Sequence, residues 1–265
     1  MSNYSPAHIR LALINLLGLV GVLVVNTLAN TLPINGVTTG QLSDEYPNLF
    51  VPAGLTFAIW GVIYLLLIGF SIYSLATVFQ KNATATGKTD FLGMIGPWFL
   101  ISCLANMMWI VAWHHRMVVL SLVLMIILLT SLIAIYRRLY IGRVVRPLEK
   151  MWMHIPFSVY LGWISVATIA NVTTLLVHWG WTGGPLREAT WAAFLVGIAM
   201  GLGLYMVRTR RDFAYALVII WAFVGIILKR NAVDVEPWTL VPLTAALGIA
   251  ALVIRMVGTL VKRPA

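Results

Sequence analysis

Residues 117–136 read MVVLSLVLMIILLTSLIAIY, a run of 20 residues between Arg116 and Arg137 that contains no Asp, Glu, Lys or Arg. A helix of about 20 residues is long enough to cross the hydrocarbon core of a bilayer, whereas the apolar segments of soluble proteins are usually shorter. This stretch therefore predicts a membrane-spanning helix.

Runs of the same kind recur along the whole chain. Seven further stretches lack acidic and basic residues, and their apolar parts have the length of spanning helices or come close to it. Eight helices are predicted, near residues 10–31, 54–79, 93–113, 117–137, 155–178, 189–207, 212–229 and 238–260. The predicted fold class is an all-α polytopic membrane helix bundle.

The composition excludes an ordinary soluble domain. Of the 265 residues, 61% are hydrophobic and only 10% are charged, whereas soluble domains carry about a quarter of their residues as charges. The net charge of +10 comes from short basic clusters between apolar runs and not from one basic face. The sequence therefore predicts contact with membrane lipids and none with nucleic acid.

The basic clusters also predict an orientation. With a cytoplasmic N-terminus, the internal loops and termini hold 14 of the 18 Lys and Arg residues, and the external loops hold Arg116, Arg187, Lys229 and Arg230. Cytoplasmic loops of membrane proteins carry an excess of basic residues. Both termini are therefore predicted to be cytoplasmic, which agrees with an even number of helices, and the expected location is the bacterial cytoplasmic (inner) membrane.

The sequence offers little for catalysis or ion coupling. All eight acidic residues fall in loops or at helix ends, whereas proton-coupled carriers normally need a carboxylate at mid-membrane. No two histidines have the i, i+4 spacing of a metal or haem site, and Cys103 is the only cysteine. No Ser-His-acid set or phosphate-binding glycine loop is present. We expect a protein that is not an enzyme and that requires no metal or other cofactor.

The side chains predicted at membrane depth are neutral and largely aromatic. Three helices carry them at the three- and four-residue spacing of one helical face: Asn106, Trp109 and Trp113; Trp163, Ala167 and Asn171; and Trp60 with Tyr64. A cavity among these faces would suit a flat hydrophobic ligand better than an ion or a sugar. The two amides have two possible roles, as interhelical hydrogen bonds or as the polar rim of a pocket.

These motifs resemble the TspO/MBR family, the tryptophan-rich sensory proteins and translocator proteins. In that family a Pro- and Trp-rich loop leads into Trp-x-x-x-Tyr, a later helix carries Asn-x-x-Trp with an aromatic residue four positions on, and another carries Pro-Tyr-x-x-Trp-x-x-x-Ala-x-x-x-Asn. The matching residues here are Trp60 and Tyr64 after the loop 47–54, then Asn106, Trp109 and Trp113, then Tyr160, Trp163, Ala167 and Asn171. The resemblance covers about residues 9–178. Leu49 stands where the family often has tryptophan, and Val51 and Val159 replace prolines.

The resemblance implies a TspO-like five-helix bundle at residues 1–180, followed by a three-helix extension at 181–265. It also implies a pocket that binds a porphyrin, haem or another tetrapyrrole, or a sterol-like lipid, in order to sense or transport it. The implied pocket residues are Trp60, Tyr64, Asn106, Trp109, Trp113, Tyr160, Trp163 and Asn171. The loop 32–53 would cover the pocket as a lid that includes Pro47, Phe50 and Pro52, and the two prolines would make this lid rigid.

Other functions remain open at this level. The chain could be a structural or assembly subunit of a membrane complex that holds pigment or haem, or a transporter of a small neutral solute. Dimers are common among TspO-like proteins, so a homodimer also remains open. TspO-like proteins have been associated with porphyrin breakdown, which is the one enzymatic activity that the resemblance suggests.

Overall fold

The computed structural model describes residues 5–32, 34–79, 90–181, 183–233 and 239–261. Within these ranges the regular structure is helical, with no β-strand, and the predicted all-α class is confirmed. The helices are α1 Pro6–Thr31, α2 Thr39–Asp44, α3 Gly54–Phe79, α4 Phe91–Ile95, α5 Trp98–His114, α6 Val118–Arg138, α7 Pro147–His178, α8 Glu188–Arg210, α9 Phe213–Val233 and α10 Leu240–Val261. The first turn of α3, Gly54–Ala58, is a 3-10 helix, and α7 contains a π-helical turn at Lys150–His154.

Seven of the described helices, α1, α3 and α6 to α10, are long and apolar enough to cross a membrane. Helix α5 is apolar but has 17 residues, a length of about 26 Å at 1.5 Å per residue. A bilayer core is roughly 30 Å thick, and the shortest membrane-spanning helices have about 17 residues. Helix α5 is therefore at the lower limit for a spanning helix. The chain is an integral multi-pass membrane protein, while the total of eight spans and the orientation stay predictions.

Two predicted helix starts are wrong. The fifth helix is predicted to begin near residue 155 but begins at Pro147, a residue type that favours the first turn of a helix, and a π-helical turn continues it to Ile155. The third helix was expected to begin near residue 93, but the chain forms the short helix α4, turns at Gly96 and Pro97, and starts α5 at Trp98. Gly96 has a φ of 54°, which lies outside the helical region, and Pro97 has no N–H to donate. Residue 238, at the predicted start of the last helix, lies outside the described residues.

The helices form two groups that share one core. In the first group α5 packs against α1 and α6, α6 packs against α7, and α3 packs against α1 and α7. In the second group α8, α9 and α10 pack against one another. Helix α9 also packs along α7 and thereby joins the two groups. The predicted division of the chain near residue 180 stays a prediction.

Different polar contacts hold the two ends of the bundle. At one end the segment 34–53, called the lid below, binds Arg116 and Lys229 through its acidic residues. At the other end His8 Nε2 lies 3.0 Å from a carboxylate oxygen of Asp90, and Arg138 donates to the carbonyl oxygen of Met94 at 3.4 Å. Four basic residues that the prediction assigns to this second end, Lys81, Lys88, Lys262 and Arg263, lie outside the described residues.

Single cysteines test the predicted orientation, because Cys103 is the only native cysteine and is buried. In a Cys103→Ser background we expect Arg187→Cys, at the lid end, to react with a membrane-impermeant maleimide in intact cells. Val144→Cys, at the opposite end, should react only after the membrane is permeabilised. Both positions are exposed, so the reverse pattern would mean that the lid faces the cytoplasm and would contradict the positive-inside assignment.

Candidate functional site

Trp60 lies at the centre of an aromatic cluster formed by α3, α5 and α7. Its ring stacks on that of Tyr64 with 5.5 Å between the centroids. The ring centroids of Tyr160, Trp109 and Trp163 lie 5.9, 6.1 and 6.4 Å from that of Trp60. These separations are typical of interacting aromatic pairs, so the faces identified in three helices meet at one point.

Trp113 extends this cluster to the lid. Its ring stacks on that of Trp109 with 6.2 Å between the centroids, and it lies 6.0 Å from the ring of Tyr46 in the lid. The Trp113 indole Nε1 donates to the carbonyl oxygen of Thr39, at the start of α2, at 3.3 Å. The lid and the aromatic cluster are therefore in direct contact.

Both deep amides make hydrogen bonds between helices. Asn106 Nδ2 donates to the Tyr160 hydroxyl at 3.1 Å, and Asn106 Oδ1 accepts from Asn26 Nδ2 of α1 at 2.9 Å. Asn171 Oδ1 accepts from the Ser121 hydroxyl of α6 at 2.8 Å. Of the two roles left open for these amides, the geometry favours interhelical bonding for Asn106, whereas Asn171 also lines the cavity described next.

A small cavity of about 40 Å³ lies beside the aromatic cluster. Five residues of the implied pocket line it, namely Trp60, Trp109, Trp113, Trp163 and Asn171, together with Pro52 of the lid. A space of this size holds a few water molecules at most, whereas pockets for drug-sized ligands measure roughly 300 Å³ or more. In this conformation the aromatic side chains fill most of the pocket themselves.

A wider groove of about 620 Å³ reaches the same cluster from the side, between α1, α3 and the lid helix α2. Trp60, Phe57 and Thr39 line both the groove and the cavity, and Tyr64 lines the groove. The side facing α1 and α2 is polar and includes Asn26, Thr27, Asn30, Thr31, Thr38 and Gln41. Asn106 and Tyr160 line neither space, so these two members of the implied set support the pocket from behind.

Three buried donors beside these spaces have no hydrogen-bond partner among the described residues. They are Trp109 Nε1, Trp163 Nε1 and the Tyr64 hydroxyl. Trp109 and Trp163 line the cavity, and Tyr64 lines the groove. Buried polar groups in proteins are nearly always paired, so each of these donors would gain a hydrogen bond if a conformational change brought an acceptor atom beside it.

The lid is a folded segment with its own hydrogen bonds. Helix α2 begins with a capping box, in which the Thr38 side chain accepts from the Gln41 N–H and the Gln41 side chain accepts from the Thr38 N–H. After α2, Asn48 Oδ1 accepts from the backbone N–H groups of Phe50 and Val51. These bonds fix the backbone conformation before and after α2.

The three lid residues implied by the resemblance face different spaces. Pro52 is buried and lines the aromatic cavity. Pro47 and Phe50 instead line a separate cavity of about 250 Å³ that lies against α8 and includes Trp181 and Trp191. Only Pro52 of the three therefore contacts the predicted ligand space.

His114 at the C-terminal end of α5 and Arg116 in the turn after it hold the lid. The buried His114 side chain lies 3.1 Å from the Thr39 hydroxyl oxygen through Nε2 and 3.1 Å from the carbonyl oxygen of Ile34 through Nδ1. Arg116 donates two hydrogen bonds to the carboxylate of Glu45, at 2.8 and 2.7 Å. These bonds lower the pKa of Glu45, so the pair stays charged at neutral pH.

Helix α9 holds the other side of the lid. Lys229 Nζ lies 2.6 Å from a carboxylate oxygen of Asp44, and the Ala53 N–H donates to the carbonyl oxygen of Gly225 at 3.0 Å. Trp221 Nε1 donates to the carbonyl oxygen of Thr56 at 2.9 Å. A Cβ on Gly225 would lie 2.0 Å from the Thr56 hydroxyl oxygen, so only glycine permits this approach.

These lid contacts are not among the features predicted from the sequence. One pattern in the sequence points to the ion pairs. The predicted external loops contain few charged residues, and among these Asp44 and Glu45 are opposite in charge to Lys229 and Arg116. No local pattern marks Gly225 or His114, because their partners are distant in sequence.

The chain was also compared with known proteins. A protein-family model described as "TSPO-like protein" matches residues 12–258. The match includes α8 and α9 and nearly all of α10, and it covers most of the chain, so the protein belongs to this family and the resemblance stated from its motifs is confirmed. No curated protein and no solved structure matches the chain.

The contact at Gly225 leads to a prediction about the lid. In Gly225→Ala the added methyl group would clash with Thr56, and overpacking of this kind costs about 1–3 kcal/mol. We expect a melting temperature lower by several degrees and faster hydrogen exchange in residues 38–58. Gly197→Ala is the matched control, since its Cβ would meet nothing within 4 Å. Equal behaviour of the two variants would contradict the proposed anchoring by α9.

Proposed function

We propose that this member of the TSPO-like family binds a flat hydrophobic ligand between the lid and the aromatic cluster around Trp60. The ligand class is a porphyrin or another tetrapyrrole, or a sterol-like lipid, and binding serves to sense the ligand or to transport it. The observation that carries the proposal is the presence of three buried donors without a described partner, Trp109 Nε1, Trp163 Nε1 and the Tyr64 hydroxyl, at a wall of aromatic rings.

The chemistry of the walls supports this ligand class. The indole rings of Trp60, Trp109 and Trp163 offer flat apolar faces, and large aromatic side chains favour stacked or edge-on contact with another ring system. Among the described residues that line the 40 Å³ cavity none is charged. A planar, mainly apolar molecule with a few carboxyl or carbonyl oxygens would stack on the rings and accept from the unpaired N–H and O–H groups.

Binding would require a change of conformation. The cavity of about 40 Å³ is too small for such a ligand, whereas the groove of about 620 Å³ has the size of a ligand pocket. Phe57 and Trp60 line both spaces, and Trp60 is half-buried whereas Trp109 and Trp163 are buried. A ligand in the groove would meet Trp60 first, and displacement of Trp60 and α2 would join the groove to the cavity.

The groove also suggests the route of entry. It opens between α1 and α3 and under α2, so the ligand would enter laterally from the bilayer or from the lid side. On the positive-inside pattern the lid side is external, and we propose the bacterial cytoplasmic membrane as the location. The proposed role is binding without catalysis, and it requires no resident cofactor.

Titration of the full-length protein in mild detergent with protoporphyrin IX tests this proposal. We expect saturable binding in the micromolar range. Binding is monitored by the quenching of tryptophan fluorescence and by a shift of the Soret band of the porphyrin. Trp60→Leu and Trp163→Leu should each weaken binding about tenfold, because loss of a stacking surface costs on the order of 1–2 kcal/mol. Trp179→Leu is the control, because Trp179 is 65% exposed and lines neither space.

A fourth variant separates support of the pocket from contact with the ligand. Asn106→Leu removes the acceptor for Asn26 and the donor to Tyr160, so we expect weaker binding together with a lower melting temperature. Binding by the wild-type protein that none of the pocket substitutions changes would contradict the proposed site. No binding at all would favour a role as a complex subunit or as a carrier of another solute.

A further inference from the structure

A fourth space lies outside the aromatic cavity and shares with the proposed ligand groove the lining residue Ala58. It is a groove of about 970 Å³ between α3, α7 and α9. Its walls are apolar over most of their length and include Val62, Leu66, Val159, Leu217, Val218 and Trp221. No described residue lines both this groove and the aromatic cavity.

The end of this groove away from the lid is basic. Arg143 and Lys150 line it from the segment between α6 and α7 and from the start of α7, and Arg210 and Arg211 line it from the end of α8. None of the four forms an ion pair with any residue that the structure describes. Arg143 packs over the ring of Tyr140, 4.4 Å from its centroid. Four basic side chains therefore lie at one mouth of the groove, and none of them forms an ion pair with an acidic residue that the structure describes.

Asp212 is the acidic side chain among the described residues that line this groove, and its oxygens are already used. One carboxylate oxygen accepts from the hydroxyls of Tyr136 and Ser158, at 2.8 and 2.7 Å. The other accepts from the Tyr215 N–H at 3.1 Å and so caps α9. The buried Asp212 thus fixes the start of α9 and leaves the positive charge at the mouth in excess.

The backbone holds the two basic segments together. Gly142 has a φ of 101°, and a Cβ there would lie 2.5 Å from the carbonyl oxygen of Arg210, so this approach requires glycine. Arg211 adopts a left-handed conformation with a φ of 51° and ends α8. The segment that carries Arg143 is therefore packed directly on the end of α8, although the two are distant in sequence.

We propose that this groove binds one anionic phospholipid. The headgroup phosphate would lie among Arg143, Lys150, Arg210 and Arg211, and an acyl chain would lie along the apolar walls toward Trp221. Arginine and lysine are the side chains that bind phosphate oxygens best. From residue 213 to residue 221 the wall formed by α9 measures about 12 Å, which accommodates much of an acyl chain.

The combination of features identifies the occupant as a lipid. A free phosphate ion would use the four cations but not the apolar walls. A zwitterionic lipid would bring its own positive charge to a mouth that already has an excess of it. Helix α9 packs against the first turn of α3, and the groove continues from there to the basic mouth, so the bound lipid would fill the space between the two helix groups.

Native mass spectrometry of the full-length protein, released from mild detergent, tests the proposal. With phosphatidylglycerol and phosphatidylcholine of identical acyl chains, we expect one phosphatidylglycerol to bind about tenfold more tightly, as expected for several basic residues near one headgroup. The double variant Arg143→Gln with Arg211→Gln should abolish this preference. Arg208→Gln is the matched control, because Arg208 is exposed on α8 but does not line the groove.

The apolar walls are tested separately. Leu217→Gln places a polar group where the acyl chain would lie, at a position that is 55% exposed and outside the core, and Ala214→Phe narrows the groove without changing its charge. Both should weaken phosphatidylglycerol binding, and a melting temperature close to that of the wild type identifies the folded variants. Equal binding of the two lipids would overturn the proposal. The proposal would also be overturned if the charge variant lost phosphatidylglycerol binding while Leu217→Gln and Ala214→Phe bound it like the wild type. Displacement of the lipid by millimolar inorganic phosphate would overturn it as well.

Discussion

A polar group inside a bilayer finds no water, so each one must be paired within the protein or carry a cost of several kcal/mol. Several deep polar side chains of this bundle are paired in this way. Asn26, Asn106 and Tyr160 form one chain of hydrogen bonds, and Asn171 pairs with Ser121. Buried polar atoms without a described partner also occur at Asn15, Ser71 and Trp191. The donors of Trp109, Trp163 and Tyr64 differ from these in position, because they lie where the aromatic faces of α3, α5 and α7 meet. The proposed ligand site is thus the place where three such donors come together beside aromatic rings.

The lid connects this site to the C-terminal helices. His114 of α5 and Arg116 in the turn after α5 bind the lid on one side, while α9 binds it through Gly225 and Lys229. Because α9 also packs along α7, α9 is part of the structure that surrounds the proposed pocket. The family match through residue 258 agrees with this arrangement. Opening of the groove beneath α2 would have to break contacts on both sides, so the proposed ligand entry would be coupled to the packing of α9.

The features that the sequence predicted are those with a local signature. Runs without charged residues predicted the helices. The spacing of the residues around Trp60, Trp109 and Trp163 predicted the aromatic helix faces that meet in the structure. The break at Gly96 and Pro97 was missed because a short turn does not interrupt an apolar run. The approach of Gly225 to Thr56 and the gathering of Arg143 with Arg211 depend on packing between distant segments. The small size of the cavity depends on side-chain conformations, which no helical periodicity specifies.

Hydrogen exchange of the full-length protein, with and without saturating protoporphyrin IX, tests the central claim most directly. A ligand held beneath the lid would restrict α2 and the turn that follows it. The account predicts slower exchange in residues 38–56 and no change in residues 141–146 at the basic groove. Saturable binding that leaves residues 38–56 unchanged, or that slows exchange only in residues 141–146, would contradict it and would place the ligand elsewhere in the bundle.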